Sequence, residues 1–289
     1  MQKFRHYLSL IKFSHTIFAL PFALIGYALA IKETTLTTEF KVKLLSLVVL
    51  CMVFARSAAM AFNRFIDRKI DAKNPRTATR EIPAGIIAEK KALYFVIING
   101  VLFIATTFFI NPICFYLSPI ALFTILFYSY TKRFTSLCHF VLGIGLSLAP
   151  IGAYLAVTGE FALLPILFSF SVFTWVAGFD IMYALQDEAF DKTEQLYSIP
   201  SQLGVHNALK LSVIVHFITA CLIVGIGLYS NFHPMYWIGA SIFNILLVYQ
   251  HLIVKPNDLS RINLAFGTTN GVASIVFAFF TILSMYLTT

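Results

Sequence analysis

The chain has 289 residues, of which 59% are hydrophobic and 12% charged. A water-soluble domain carries about a quarter charged residues; this one has too little polar surface to cover a core in water and must cross a bilayer repeatedly. Its 21 basic and 13 acidic residues leave a net charge of +8, which the Lys/Arg bias of cytoplasmic loops explains better than nucleic acid does.

Nine apolar segments have spanning length: 13–31, 43–66, 91–110, 112–130, 137–158, 161–183, 210–230, 234–254 and 264–287. They read as helices, because lipid cannot satisfy an open backbone and no ten-residue barrel alternation is present. The first ends in Ala28-Leu-Ala30, which imitates a signal-peptidase site. Its apolar stretch exceeds a signal core of about 7–15 residues, so a retained helix is expected. The second carries Arg56 among Ala55, Ser57, Ala58 and Ala59, then runs into Asn63-Arg-Phe-Ile-Asp-Arg-Lys-Ile-Asp71. A polar loop over 67–90 follows. Asn111-Pro112 separates the third and fourth spans, and the fourth closes in Tyr128-Ser-Tyr-Thr-Lys-Arg133. In the fifth, Gly143, Gly145, Pro150 and Gly152 read as packing and bending positions. The sixth leads into Asp180-Ile-Met-Tyr-Ala-Leu-Gln-Asp-Glu-Ala-Phe-Asp191 and a second polar stretch over 184–209. In the ninth, Asn263 and Asn270 offer either a polar contact to a cavity or helix-packing glue. Cys51, Cys114, Cys138 and Cys221 lie in apolar runs and read as small buried hydrophobes. His15, His139, His206, His216, His233 and His251 share no face, and each reads as an interhelical hydrogen bond or an interface position.

Placing the N-terminus in the cytoplasm puts 17 of the 21 basic residues on that side; Lys32, Lys41 and Lys43 face out and Arg56 lies within a span. The C-terminus is then outside, and both long polar loops are cytoplasmic. No linker divides the chain, so one domain over 1–289 is expected.

Five of the six aspartates occupy two places. Asn63, Asp67 and Asp71 recur at i, i+4, i+8 and share one helix face; Asp180, Tyr183, Asp187 and Asp191, at i, i+3, i+7, i+11, are expected to share another. Each cluster lies at the cytoplasmic end of its span. Carboxylates gathered at one mouth resist ionisation unless cations compensate them. Oxygen ligands without His or Cys suit Mg²⁺, which takes one or two carboxylates and completes its shell with water and phosphate oxygens. The expected metal set is Asn63, Asp67, Asp71, Asp180, Asp187 and Asp191, with Asp67, Asp71, Asp187 and Asp191 carrying the catalysis. Arg76, Arg80, Lys132 and Arg133 are the expected contacts of a diphosphate. Such a basic ring argues against a simple cation pore.

These motifs resemble the UbiA superfamily of intramembrane prenyltransferases. Asn63-xxx-Asp67-xxx-Asp71, continuing through Asn74-Pro-Arg-Thr77 and Arg80-Glu-Ile-Pro-Ala-Gly85, resembles that family's first aspartate motif, and Tyr183–Asp191 resembles its second. The segment Tyr128–Arg133 resembles the family's Tyr…Lys-Arg stretch after the fourth helix. Within the superfamily the chain is most similar to the 4-hydroxybenzoate polyprenyltransferase group, including relatives assigned to menaquinone made by the futalosine route. The common first motif begins Asn-Asp; here Arg64 stands in place of that Asp, leaving the i+4 face intact, and is read as touching phosphate or lipid. The resemblance implies an all-α protein of nine transmembrane helices around a central cavity that opens near the cytoplasmic side of a bacterial inner membrane. It also implies Mg²⁺-dependent transfer of a polyprenyl group from its diphosphate to an aromatic acid, in ubiquinone or menaquinone synthesis. The partners are then those two substrates and the bilayer, with no nucleic acid and no obligatory protein partner.

An intramembrane Arg is functional by default. Arg56 is accordingly read as binding the acceptor's carboxylate, against a structural ion pair or snorkelling. Tyr183, on the acidic face, is the second expected acceptor contact. Two other readings stay open: a naphthoate-type acceptor, and a cation-coupled secondary transporter.

Overall fold

The computed structural model describes residues 2–11 and 18–287, with side chains from His6 onward. His15, Lys12 and the start of the first expected span lie outside them. The described chain is helical: α1 (Gln2–Leu10), α2 (Leu20–Lys32), α3 (Thr38–Lys73), α4 (Glu89–Phe108), α5 (Pro112–Thr131), α6 (Cys138–Thr158), α7 (Leu163–Ala184), α8 (Glu188–Thr193), α9 (Ile199–Ser230), α10 (Met235–Ile253) and α11 (Asn270–Tyr286). Eight helical stretches among the described residues are long and apolar enough to cross a bilayer, with Leu163–Thr193 counted as one. The ninth apolar helix, α2, has 13 described residues, which at 1.5 Å each span about 20 Å.

Local sequence sets the helix ends. Asn111 accepts from the Cys114 N–H at 2.9 Å and Pro112 opens α5, so no backbone donor is wasted there. Ser198 and Ser201 form a reciprocal cap on α9, and Gly159 closes α6 at φ 71°. Two expectations shift. The second span does not stop at 66: α3 runs on to Lys73, so Asn63, Asp67 and Asp71 stay on one uninterrupted helix. The second acidic stretch is not one helix. A 3-10 turn over Leu185–Asp187 separates α7 from α8, and its tighter winding takes Asp187 and Asp191 off the α-helical register of Asp180.

The largest buried apolar cluster among the described residues lies among α2, α6, α7, α9, α10 and α11. Trp175 sits between Phe22 and Phe243, with ring centroids at 5.3 and 5.5 Å, and its Nε1 donates to Asn270 Oδ1 at 2.9 Å. The aromatic core of this half is thereby tied to a polar anchor on α11. In the other half, α3 packs on α4 and α5, and α5 packs on α6. Ile82 and Ile87, buried beside Ala61, Ala92 and Val96, hold the 74–88 connection down over the ends of α3 and α4. Within the first half, the Pro150 carbonyl lies 2.0 Å from where a Cβ on Gly26 would project, so α2 and α6 touch backbone to backbone.

Gly26→Leu is therefore expected to force α2 from α6 and to cost roughly 1–3 kcal/mol, read as a lower thermal midpoint in detergent. Gly225→Ala, whose Cβ would meet nothing within 4 Å, should not lower it.

Candidate active site

A cavity of about 950 Å³ lies among α3, α4, α5, α6 and α7. Its wall includes both Val48 and Asp67 on α3, 19 residues apart, or about 28 Å along the helix. The deep end is apolar, lined by Val48, Met52, Leu117, Ile125 and Leu148. The other end is ionic: Asp67, Asp71, Glu81, Asp180, Asp187 and Asp191 share it with Arg64, Arg76, Arg80 and Lys132.

Each aspartate in that end has a polar or cationic partner. Asp67, 3% exposed, takes Lys132 Nζ at 2.6 Å and Arg133 Nη2 at 2.9 Å. Asn63 Nδ2 donates to its Oδ2 at 3.4 Å. Both Asp71 oxygens accept from Arg80 Nη1, at 2.8 and 2.9 Å. Asp187 accepts from Asn74 Nδ2 at 3.0 Å and Arg76 Nε at 2.9 Å, and it also pairs with Arg76 Nη2. Burial works against the Arg76 charge, but the paired hydrogen bonds to Asp187 outweigh it and hold the guanidinium above its ordinary pKa. Asp191 accepts from the Ser198 hydroxyl at 2.8 Å.

The short 74–81 segment spans the two clusters. Asn74 turns the chain by accepting from the Arg76 N–H at 2.9 Å while its amide donates to Asp187. Thr77 Oγ1 donates to the Asp71 carbonyl at 3.0 Å. Arg76 therefore faces α7 and α8, and Arg80 faces α3. Tyr183 receives Arg76 Nη1 at 3.2 Å and lies 4.1 Å, centroid to centroid, from Phe266.

Among the described residues, no three His, Cys, Asp or Glu side chains lie close enough to hold an ion by themselves. The donors are oxygens at opposed positions, with basic groups between them. That set fits Mg²⁺ completed by water and phosphate oxygens, and it does not fit a self-contained protein metal centre.

A profile of the UbiA prenyltransferase family matches residues 19–284. The chain belongs to the UbiA prenyltransferase family. The 4-hydroxybenzoate octaprenyltransferase of Aliivibrio fischeri is 30% identical over 229 residues, 79% of either chain. The apo structure of a UbiA homolog from Aeropyrum pernix K1 superposes with a TM-score of 0.83 at 30% identity, covering 94% of this chain and 98% of that one. A UbiA homolog from Archaeoglobus fulgidus, solved bound to DMAPP and Mg²⁺, shares the fold with a TM-score of 0.73 at 20% identity, covering 98% and 99%. The protein is thus an integral membrane prenyltransferase with multiple spans.

Within this UbiA fold the sequence-derived residues divide. Asn63, Asp67, Asp71, Arg76, Arg80, Lys132, Asp180, Tyr183, Asp187 and Asp191 all line the cavity, as does Arg56 about 10 Å below Asn63 on α3. Arg133 is not on the cavity wall: it donates to the Ser129 and Ile66 carbonyls and to Asp67, and so holds Asp67 from behind. Asp180 is taken by His139. The His139 Nε2 accepts from the Ile199 N–H at 3.3 Å, which leaves Nδ1 protonated and donating to Asp180 at 2.7 Å. Spacing alone gave no sign of that pair, because His139 and Asp180 come from α6 and α7. Asn270 takes the packing role: it bonds Trp175, Gln250 and the Ala265 and Phe266 carbonyls. His216 on α9 and His251 on α10 meet at 2.9 Å, an interhelical hydrogen bond of the kind expected for these residues.

Replacing His139 by Phe keeps a planar aromatic ring, though a larger one, strands the Asp180 carboxylate and removes the acceptor for Ile199. The expected cost is roughly 1–3 kcal/mol, measured as a lower unfolding midpoint of the purified protein.

Proposed function

We propose that this UbiA protein transfers a polyprenyl group from its diphosphate to the ring of an aromatic acid such as 4-hydroxybenzoate. The observation that carries the reading is the joining of two acidic clusters by Asn74 and Arg76 at one end of an apolar cavity of about 28 Å reach. A charged head and a long hydrocarbon tail on one substrate match that division. The names of relatives support it: octaprenyl transfer to 4-hydroxybenzoate in the Aliivibrio protein, and DMAPP with Mg²⁺ in the Archaeoglobus homolog.

Asp67, Asp71, Asp187 and Asp191, with the Asn63 amide, would hold Mg²⁺. When bound, the ion supplies Lewis-acid stabilisation to the departing diphosphate. Arg76, Arg80 and Lys132 bind the phosphate oxygens and stabilise the charge that grows there as the allylic C–O bond breaks. Arg133 keeps Asp67 in place. The apolar walls keep water from the allylic cation until a ring carbon attacks it, and the ring then loses a proton to water and regains aromaticity. Arg56 binds the acceptor's carboxylate from below, while Tyr183 presents its ring at the ionic end. The N-terminus lies in the cytoplasm of a bacterial inner membrane, with the ionic end on that side.

The test is a membrane assay with one prenyl diphosphate, Mg²⁺ and a panel of benzoates and naphthoates, read by mass spectrometry. A prenyl mass gain on a benzoate is expected, and no gain on any acceptor overturns the reading. EDTA should abolish the product. Asp67→Asn and Asp191→Asn should lower kcat about 100-fold or more in protein that still inserts and folds. Arg56→Gln should raise KM for the aromatic acid about tenfold or more, with a smaller effect on the diphosphate.

A further inference from the structure

The catalytic reading leaves one cation of the cavity wall without a task. Arg64 follows Asn63 on α3, lines the cavity and is 4% exposed. Among the described residues its Nε and Nη1 find no acceptor. A guanidinium cannot shed its charge in a protein, and a buried one with unspent donors is a costly arrangement unless something else supplies the acceptors.

Its surroundings do not supply them. The charged side chains that act most strongly on Arg64 are Arg80, Asp71 and Glu81. Arg80 repels it. Asp71 has both oxygens on Arg80 Nη1, at 2.8 and 2.9 Å, and none of the ion pairs among the described residues includes Arg64 or Glu81. Two guanidinium groups thus stand on the same side of α3, one of them bound to a carboxylate and the other with open donors. An oxyanion between them would satisfy both. Helical geometry places Arg64 two turns before Asp71 on nearly the same face, and about 4.5 Å deeper along α3 than Asp67. Arg56 lies a further eight residues down, about 12 Å away along the axis, so the two arginines serve different depths.

We propose that Arg64 contacts the substrate: its Nε and Nη1 donate to the prenyl diphosphate on the side where the hydrocarbon chain is attached. The inference rests on the prenyl-transfer reading above. When the allylic C–O bond breaks, its electron pair leaves with the diphosphate, and negative charge grows on the oxygen that faced the chain. Two donors held on a rigid helix at that depth bind the departing group more tightly than the intact ester. The new C–C bond forms at the acceptor ring and the ring proton passes to water, so Arg64 neither gains nor loses a proton. The acceptor's carboxylate is the other oxyanion available, and the test separates the two.

The experiment uses the full-length protein in nanodiscs with Mg²⁺. Calorimetric titrations with inorganic pyrophosphate and, separately, with 4-hydroxybenzoate are run on wild type, Arg64→Gln, Arg64→Lys and Arg68→Gln. Arg68 pairs with Glu89 away from the cavity and serves as the control. Arg64→Gln is expected to weaken pyrophosphate binding about tenfold or more and to leave aromatic-acid binding unchanged, and Arg68→Gln should match wild type in both. Arg64→Lys keeps the charge but loses the fork, so it should recover most of the pyrophosphate affinity while single-turnover cleavage stays about tenfold or more slow. Wild-type pyrophosphate affinity in Arg64→Gln, or a loss confined to the aromatic acid, overturns the inference. If Arg64→Gln fails size-exclusion and melting controls, Arg64→Lys decides alone: a wild-type cleavage rate overturns it. Absence of pyrophosphate binding by wild type would instead sink the metal-diphosphate reading itself, and this inference with it.

Discussion

A carboxylate inside a bilayer protein must be met by a donor or a cation, and that constraint organises this molecule. Desolvating an isolated charge costs several kcal/mol even after relaxation, and five aspartates crowd the ionic end of one cavity. Their partners come from different parts of the chain. Asp67 is met by residues following α5, Asp71 and Asp187 by the 74–81 segment, and Asp180 by α6. Satisfying the charges therefore fixes how α3, α5, α6 and α7 meet. The same pairings leave the cations beside the carboxylates, where an incoming metal-diphosphate would need both signs of charge.

The irregular turns of the helices serve that arrangement. A π-helical stretch over Leu264–Thr269 precedes α11, and π geometry leaves carbonyls without their usual donors. Asn270 supplies them, at 3.2 Å to the Ala265 carbonyl and 3.1 Å to that of Phe266, while Trp175 and Gln250 fix its own oxygen. Phe266 is thereby turned onto the Tyr183 ring, and Tyr183 in turn accepts from Arg76. A polar anchor in the aromatic core, Asn270, is connected in this way, by one ring contact and two hydrogen bonds, to the residue that grips Asp187. The 3-10 turn at Leu185–Asp187 acts at the other side, carrying Asp187 toward Asn74 and Arg76.

What could be read from the chain follows the range of each interaction. Hydropathy and the i, i+4, i+8 spacing are local, and they showed the spans and the Asn63, Asp67, Asp71 face. The second cluster was legible as a cluster but not as a shape, because the 3-10 turn depends on contacts with the 74–81 segment more than one hundred residues away. The helix α3 runs past its expected end for a related reason: a run of charges looks like a water-exposed stop, yet Arg80 and Lys132 pair with Asp71 and Asp67 and let those two carboxylates stay helical and buried. His139 and Asp180 form their pair across two helices, and Lys132 and Arg133, adjacent in sequence, take different tasks because one side chain lines the cavity and the other turns back to α3 and Ser129. Neighbours in sequence carry no information about which side they will face at a helix end.

Depth along α3 then becomes the coordinate on which the chemistry is ordered. Asp71 and Asp67 stand nearest the ionic end, Arg64 lies below them, Arg56 lies about 12 Å below Arg64, and the wall beyond is apolar down to Val48. An uninterrupted helix can hold such an order because its rise per residue is fixed and its hydrogen bonds need no water. On the prenyl-transfer reading, this sequence of side chains matches the sequence of groups that must be handled: metal and phosphates first, the breaking bond next, the acceptor's acid group alongside, and the hydrocarbon tail in the remainder. A kink between Arg56 and Asp71 would break that correspondence without removing any residue. The continuity of α3 is therefore as much a part of the site as its aspartates.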